Sequence, residues 1–100
     1  MNKLLSMLGL SARAGRLVSG VQAVEIALKK GEARLVVLDD EASEGTKKQM
    51  TDACLHKKTP LITVPASSLG DAVGKPGRMI AAVTDNSFAD RIYQLYKEIG

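Results

Sequence analysis

The sequence predicts an α/β protein in which helices cover both faces of a central sheet. Two observations support this prediction. Continuous apolar runs at residues 35–38 and 79–83, and the mostly apolar run at 61–64, have the pattern expected of buried strands. Segments with apolar residues at helical spacing lie between the runs and are joined to them by only a few residues. This alternation indicates three layers, and by itself it favours a largely parallel sheet.

The first third of the chain predicts two helices with a short extended piece between them. Asn2 can cap a first helix whose leucines repeat at helical spacing, and Gly15 can end it. Residues 17–18 form a weak strand. A second helix opens after Ser19 and closes at Gly31, where two lysines in its last turn suit the helix dipole.

The middle of the chain predicts two strands around a third helix. Residues 35–38 are apolar throughout and β-branched at their centre, which indicates a strand covered on both faces. Ser43 can cap the helix that follows, and Pro60 stops it. Residues 61–64 form the next buried strand.

The last third predicts two helices around one more strand. Ser67 or Ser68 can start a short helix that Gly74 ends. Residues 79–83 form the strand. An Asp-Asn pair at 85–86 can cap the last helix, whose apolar residues again repeat at helical spacing.

Length and composition exclude several classes of protein. With 100 residues, 45% of them apolar, residues 1–100 are expected to form one domain around one core. The longest apolar runs are far shorter than the ~20 residues needed to cross a bilayer, so no membrane partner is expected. The N-terminal apolar run faintly imitates a secretory signal, but its cleavage would remove about one helix. We therefore expect a cytoplasmic protein.

Side chains that could carry catalysis or bind metal are few. Cys54 is the only cysteine, and together with His56 it supplies two soft ligands where a structural zinc site needs about four. We therefore expect no metal and no cofactor. A lone thiol on a helix is more often a buried apolar residue than a nucleophile, and His56 suits an exposed helix end. No segment assembles a nucleophile, a base and an orienting group, so we expect no enzyme.

An acidic run, Asp39-Asp40-Glu41, follows the first buried strand, at the end of a sheet where ligands often bind. A magnesium site is conceivable there. The glycine-rich phosphate loop that such chemistry needs is absent, because the chain contains no GxxxxGK[ST] pattern. We interpret the run as a solvated turn.

The positive charge is concentrated near the N-terminus. Residues 1–34 carry six basic and two acidic side chains, a net charge of +4, whereas the remaining 66 residues carry eight basic and nine acidic ones, a net charge of −1. A basic end on a nearly neutral body suits phosphate contact, because neutralised phosphates release counterions. Ordinary solvated surface charge explains the distribution equally well.

The most informative segment is Ser19-Gly20-Val21-Gln22. A glycine that opens a helix lets the chain approach a ligand closely, and the first helical amides are free donors. Gln22 could pair with a base edge. Three cations could contact phosphates nearby: Arg13, Arg16 and Lys30. The alternative is that Ser19 merely caps the helix and Gly20 merely turns the chain.

Longer segments carry a resemblance to a known family. The run GVQAVEIALKKG at residues 20–31, the run ARLVVL at 33–38, the run DEAS at 40–43 and the run PLITVP at 60–65 resemble the signature of the L-seven-Ae family of ribosomal proteins. The resemblance covers nearly the whole chain. The segment from Lys3 to Gly20 is further similar to the small Firmicutes-type bacterial paralogues.

This resemblance implies a three-layer α/β/α sandwich around a four-stranded mixed sheet, which binds kink-turn RNA without catalysis. It implies two RNA-contacting surfaces. The first comprises Gly20, Val21, Gln22, Ala23 and Ile26, with Lys30 and Ser43 nearby. The second comprises Val64, Pro65, Ala66 and Ser67, packed against an extruded nucleotide. This chain has Gln22, Ala23 and Ile26 where the archaeal motif has Asn, Glu and Lys.

Two functions follow as hypotheses. The first is a monomeric RNA-binding protein of the ribosome or of translation, with ribosomal RNA as the expected target and Ser19 to Gln22 at the contact surface. The second is a protein-interaction module that kept the sandwich but lost tight RNA binding, and that docks on a ribosomal protein or translation factor.

Overall fold

The computed structural model describes residues 1–99. Five helices and four strands follow one another in this order: α1 (Asn2–Arg13), β1 (Leu17–Ser19), α2 (Val21–Lys29), β2 (Leu35–Asp39), α3 (Glu44–Lys57), β3 (Leu61–Val64), α4 (Ser68–Val73), β4 (Ile80–Val83) and α5 (Asn86–Ile99). The α/β class and the element order are as the sequence predicts. Met79, expected in the last strand, lies just before it.

The sheet is mixed, with strand order β1-β4-β2-β3. Only β2 and β3 are parallel, while β4 lies antiparallel to both β1 and β2. The largely parallel sheet expected from the alternation of elements is therefore wrong, and the mixed four-stranded sheet implied by the family resemblance is correct. A continuous apolar strand buries both faces in either direction, so its pattern does not report its orientation.

Two apolar clusters cover the two faces of the sheet, because alternate strand residues point to opposite sides. In β2, Leu35 and Val37 pack with residues of α1, α4 and α5. Val36 and Leu38 pack with residues of α2 and α3 on the other face. The three layers that the sequence predicts are confirmed.

Two of the predicted capping residues, Ser43 and Asp85, cap their helices with side-chain hydrogen bonds. The Ser43 hydroxyl accepts a hydrogen bond from the Thr46 amide at 3.1 Å and caps α3. The Asp85 carboxylate accepts one from the Phe88 amide at 2.9 Å at the start of α5. The cap predicted at Asn2 is wrong, because Asn2 lies inside α1 and Met1 precedes the helix without a side-chain cap.

The strand directions give the sheet two different ends. At one end β1, β2 and β3 finish and β4 begins; we call it the Gly20 end. At the other end the same three strands begin and β4 finishes; we call it the Arg34 end. Backbone pairing marks both ends: the Gly20 amide donates to Ile80 O at 2.9 Å, and the Arg34 amide donates to Val83 O at 2.8 Å.

Candidate nucleic-acid interface

The tip of α2 is formed by a glycine in a conformation that other residues avoid. Gly20 occupies the N-cap position with φ 97° and ψ 151°, and no side chain caps the helix. The first-turn amides of residues 21–23 therefore have no side-chain acceptor, and they carry the positive end of the helix dipole. Ser19 lies in β1, paired with Ala81, so the alternative that it caps the helix is wrong.

Arg78 lies directly over this tip. A Cβ atom built on Gly20 would stand 2.7 Å from Arg78 Nη1. The guanidinium forms no ion pair with any carboxylate of residues 1–99, where the ion pairs involve only Lys47 and Lys48. Free amides and an uncompensated guanidinium thus lie side by side, an arrangement that suits an anion.

A basic cavity adjoins the tip on the side of α1. Its volume is about 390 Å³, and its wall includes the side chains of Arg13 and Lys75. Ser19 and Ala23 also line it, which connects it to the start of α2. No acidic residue is among its lining residues. Arg13 therefore lies near the α2 tip.

The loop between β3 and α4 is held by a buried carboxylate. Asp39 is 0% exposed. One of its oxygens accepts from the amides of Glu41 at 2.8 Å and Ser67 at 2.9 Å, and the other accepts from the Leu69 amide at 3.1 Å. The solvated turn expected for the acidic run is therefore wrong at Asp39, although Asp40 is exposed. Three converging amides satisfy a carboxylate that would otherwise be costly to bury.

These contacts correct part of the second predicted surface. Val64 is 1% exposed and belongs to the core beneath α1, so its side chain cannot pack on a nucleotide. Ser67 has φ 66°, and its hydroxyl donates to the Glu41 carboxylate. Its polar groups are therefore engaged within the protein. Pro65 and Ala66 are exposed at the tip of the loop.

The remaining predicted residues divide between the two ends of the sheet. Ser43 follows β2 by four residues and lies at the Gly20 end, where it caps α3. Arg16 precedes β1 at the Arg34 end, and Lys30 is the C-cap of α2. Lys30 is thus one helix length, roughly 14 Å, from the tip. Neither Arg16 nor Lys30 is brought to Gly20.

The α2 surface itself presents mixed chemistry. Gln22 is exposed, Val21 and Ala23 are half-buried, and Ile26 is 52% exposed. Gln22 and Ile26 are four residues apart, so they lie on one face of the helix. The amide of Gln22 is free to reach a ligand at the tip.

The thiol of Cys54 is free and buried. Burial raises the pKa of the Cys54 thiol to about 11, so it stays protonated and unreactive at neutral pH. Within residues 1–99 no group of three or more His, Cys, Asp or Glu side chains could hold a metal ion. Nor is any helix in this described part long and apolar enough to cross a membrane.

Sequence reasoning missed Arg78 and Lys75. Both lie in the Lys75-Pro76-Gly77-Arg78 turn before β4, where a basic, glycine-containing loop was the only available signal. They reach the α2 tip because β4 is antiparallel to β1, which brings the start of β4 beside the end of β1. In the parallel arrangement first expected, this turn would lie at the other end of the sheet.

Comparison with known proteins identifies the family of this chain. The model of the Ribosomal protein L7Ae/L30e/S12e/Gadd45 family matches residues 2–93. The chain belongs to this family. It is similar to "RNA-binding protein YlxQ" of Bacillus subtilis (strain 168), with 39% identity over 90 residues, which cover 89% of this chain and 90% of the relative. It is 29% identical over 94 residues to "RNA-binding protein YlxQ" of Enterococcus faecium, covering 93% and 90% of the two chains. These relatives agree with the likeness to Firmicutes-type paralogues.

Solved structures agree with the fold. A Bacillus halodurans protein described as having unknown function has a TM-score of 0.92 and 36% identity, over 97% of this chain and 99% of that one. The "Giardia lamblia 15.5kD RNA binding protein" has a TM-score of 0.79 at 18% identity, over 99% and 88%, a likeness of fold alone. As a member of this ribosomal-protein family, the chain is not an enzyme.

Proposed function

We propose that this protein binds RNA through the α2 tip and that it recognises kink-turn RNA. The observation that carries the proposal is the bare Gly20 cap, with free amides beneath the guanidinium of Arg78. The names of the bacterial relatives, which denote RNA-binding proteins, support the same partner.

Different groups at the tip contact different parts of the RNA. Because Gly20 has no side chain, the Arg78 guanidinium lies against the start of α2, where one phosphate can contact both it and the free helix amides. The exposed Gln22 amide can pair with a base edge, while Arg78, Lys75 and Arg13 neutralise phosphates. An ordinary RNA helix has a major groove too narrow for a protein helix, so a bend that widens it is the expected target.

The exposed Pro65 and Ala66 form the second contact. Their loop is fixed by Asp39, so its backbone needs little ordering on binding. A rigid apolar tip suits the face of an unstacked base. In the cell we infer a monomeric, cytoplasmic protein, associated with ribosomal RNA or accessory to translation.

The test compares a kink-turn hairpin with a hairpin in which plain base pairs replace the bend. We expect salt-dependent fluorescence anisotropy titrations to show tighter binding to the bent RNA. Arg78→Gln should weaken that binding by about tenfold, because a charge-assisted contact contributes ~1–3 kcal/mol. Arg91→Gln removes the same charge from an exposed position of α5 and should change little. Equal affinity for the two hairpins would refute kink-turn recognition.

A second function is favoured by one observation. Ile26 leaves half of an apolar side chain exposed on α2, beside Ala23, where a charged contact to RNA would otherwise be expected. This suits a protein-interaction module that docks on a ribosomal protein or translation factor. Pulldown from lysate with and without ribonuclease separates the two: partners that resist the nuclease and are lost in Ile26→Lys would favour the module.

A further inference from the structure

The Arg34 end of the sheet carries a second group of cations, far from the α2 tip. Arg16 and Arg34 precede β1 and β2 and flank the end of β4. The Thr84 amide donates to Arg16 O at 2.9 Å, and the Arg34 amide donates to Val83 O at 2.8 Å. Strand pairing therefore fixes both arginines at this end, and both are exposed.

The C-terminal ends of α2 and α3 add lysines to the same region. A cavity of about 190 Å³ is lined by Lys29, His56 and Lys57, and a neighbouring one of about 230 Å³ is lined by Arg34, Lys57 and Lys58. Because Lys57 lines both, the two cavities adjoin, and Arg16 and Lys30 lie at the same end of the sheet outside them. We call these cations the Arg34-end cluster, which comprises Arg16, Lys29, Lys30, Arg34, Lys57 and Lys58.

Few negative charges compensate this cluster. No member forms an ion pair within residues 1–99. Glu25 lines the smaller cavity and keeps its negative charge, while its carboxylate accepts a hydrogen bond from the neutral Gln49 amide at 2.9 Å. Glu32 is exposed in the turn after α2, and Asp85 follows β4 at this end, where it caps α5, so six cations face three carboxylates. The surface therefore keeps an excess of positive charge.

Helix stability alone does not explain the cluster. Lysines in the last turn complement a helix dipole, which accounts for Lys29 and Lys57. Arg16 and Arg34 lie at strand starts, where no such dipole acts. Lys58 has φ 56° and ψ 39°, a left-handed conformation in which glycine is the least strained residue. A lysine at this position adds positive charge, but it leaves the backbone more strained than glycine would.

We propose that the Arg34-end cluster is a second RNA-binding surface, which contacts the phosphates of a duplex segment distinct from the RNA at the α2 tip. The two surfaces lie at opposite ends of the strands, so one domain can hold two RNA segments apart. The proposal goes beyond the function proposed for the tip and does not require it.

The chemistry of the cluster favours duplex phosphates over other acidic partners. A membrane-bound surface interleaves many apolar side chains with its cations, yet the two helices that carry the cluster expose only two large apolar residues, Ile26 of α2 and Leu55 of α3. Protein interfaces are usually built around aromatic anchors and contain few lysines. Separate ammonium and guanidinium groups spread along one end of a sheet match a row of phosphates.

The first experiment measures binding of a plain RNA duplex over a range of salt concentrations. The triple variant Arg34→Gln/Lys57→Gln/Lys58→Gly removes three charges from the cluster. The control Lys3→Gln/Arg91→Gln/Lys97→Gln removes three exposed charges from α1 and α5. We expect the cluster variant to lower the salt dependence, as a log–log slope, by about 2–3, and the control to change it little. Equal losses in both variants would overturn the proposal, because they would reflect net charge alone.

Two further probes test the choice of occupant, and a third separates this surface from the α2 tip. The assignment to RNA would be wrong if phosphatidylserine vesicles or polyglutamate bound more tightly than the duplex, and if the cluster variant lost more affinity for them than for the duplex. In a capture assay, an immobilised kink-turn hairpin retains the protein, and a labelled plain duplex is added. Wild type should co-capture the duplex, whereas the cluster variant should stay on the hairpin without it. If the α2 tip does not bind RNA, the hairpin will not retain the protein, but the direct titration with the plain duplex will be unaffected.

A second variant, Lys58→Gly alone, tests the proposal with a change that should not impair folding. Glycine relieves the left-handed conformation, so this single variant should melt at or above the wild-type temperature while losing part of the duplex affinity. Reduced duplex binding together with a wild-type melting temperature cannot come from misfolding. Unchanged duplex binding in both the single and the triple variant would count against the proposal.

Discussion

Replacing Asp39 tests how the Gly20 end of the sheet is held together. Its buried carboxylate accepts three amide hydrogen bonds at 2.8–3.1 Å. In Asp39→Asn, one side-chain oxygen can still accept, but the new NH₂ group faces an amide donor. In Asp39→Ala all three amides lose their acceptor. The amides of Glu41 and Ser67 can turn to water, whereas Leu69 is buried and its amide cannot.

The magnitudes follow from these contacts. A buried donor left unsatisfied costs about 1–3 kcal/mol, and each hydrogen bond to a charged group is worth about 1.5–3 kcal/mol net. We expect Asp39→Asn to lower the free energy of unfolding by about 2 kcal/mol and Asp39→Ala by about 3–4 kcal/mol. For a chain of this size the first value corresponds to a Tm lower by roughly 10 °C.

Urea unfolding followed by far-UV circular dichroism measures these changes, with m-values expected to stay constant. Asp40→Asn is the matched control, since it makes the same chemical change one residue away. Its side chain is 65% exposed and lies 3.6 Å from Lys47, so the loss should stay below about 1 kcal/mol. Hydrogen exchange should accelerate at Ser67 and Leu69 in the Asp39 variants only. If Asp39→Asn were no more destabilising than Asp40→Asn, the proposed anchoring role would be wrong.

Four further outcomes are expected. Gly20→Ala should lower the free energy of unfolding by about 1–3 kcal/mol and weaken hairpin binding, because φ 97° strains any other residue; an unchanged urea midpoint would contradict this. Gly9→Ala should cost about 1–3 kcal/mol, since its Cβ would stand 2.8 Å from the Ala72 carbonyl oxygen, and thermal unfolding measures the loss. Lys58→Gly should instead stabilise by about 0.5–1 kcal/mol in the same assay. Iodoacetamide should leave Cys54 unmodified at pH 8 until urea unfolds the chain, and stability should fall as the pH rises from 9 towards 11, because only the unfolded thiol ionises there.

Much of the local structure could be read from the residues themselves. Ser43 and the Asp85-Asn86 pair predicted two helix starts, and glycines at 15, 31 and 74 predicted three helix ends. These signals are local because a cap or a left-handed residue acts within one turn of its helix. The Gly20 tip was predicted for the same reason.

Asp39 shows where local reasoning ended. The amides that it accepts from at Ser67 and Leu69 are about thirty residues away along the chain, so no neighbouring residue predicted that its carboxylate is buried. An Asp-Asp-Glu run is ordinarily solvated. Val64 was placed on the binding surface by the family resemblance, although its own strand was predicted to be buried, and in the folded sheet its side chain lies in the core.

The sequence by itself determined the number and order of the elements, the three layers, the family resemblance and the glycine that opens α2, because each depends on residues that are neighbours along the chain. Tertiary structure decided the direction of β4. That strand is apolar on both faces, so neither orientation exposes it, and only its pairing between β1 and β2 sets which end meets Gly20. Its antiparallel placement brings Arg78 to the α2 tip, at the opposite end of the sheet from Arg16 and Arg34.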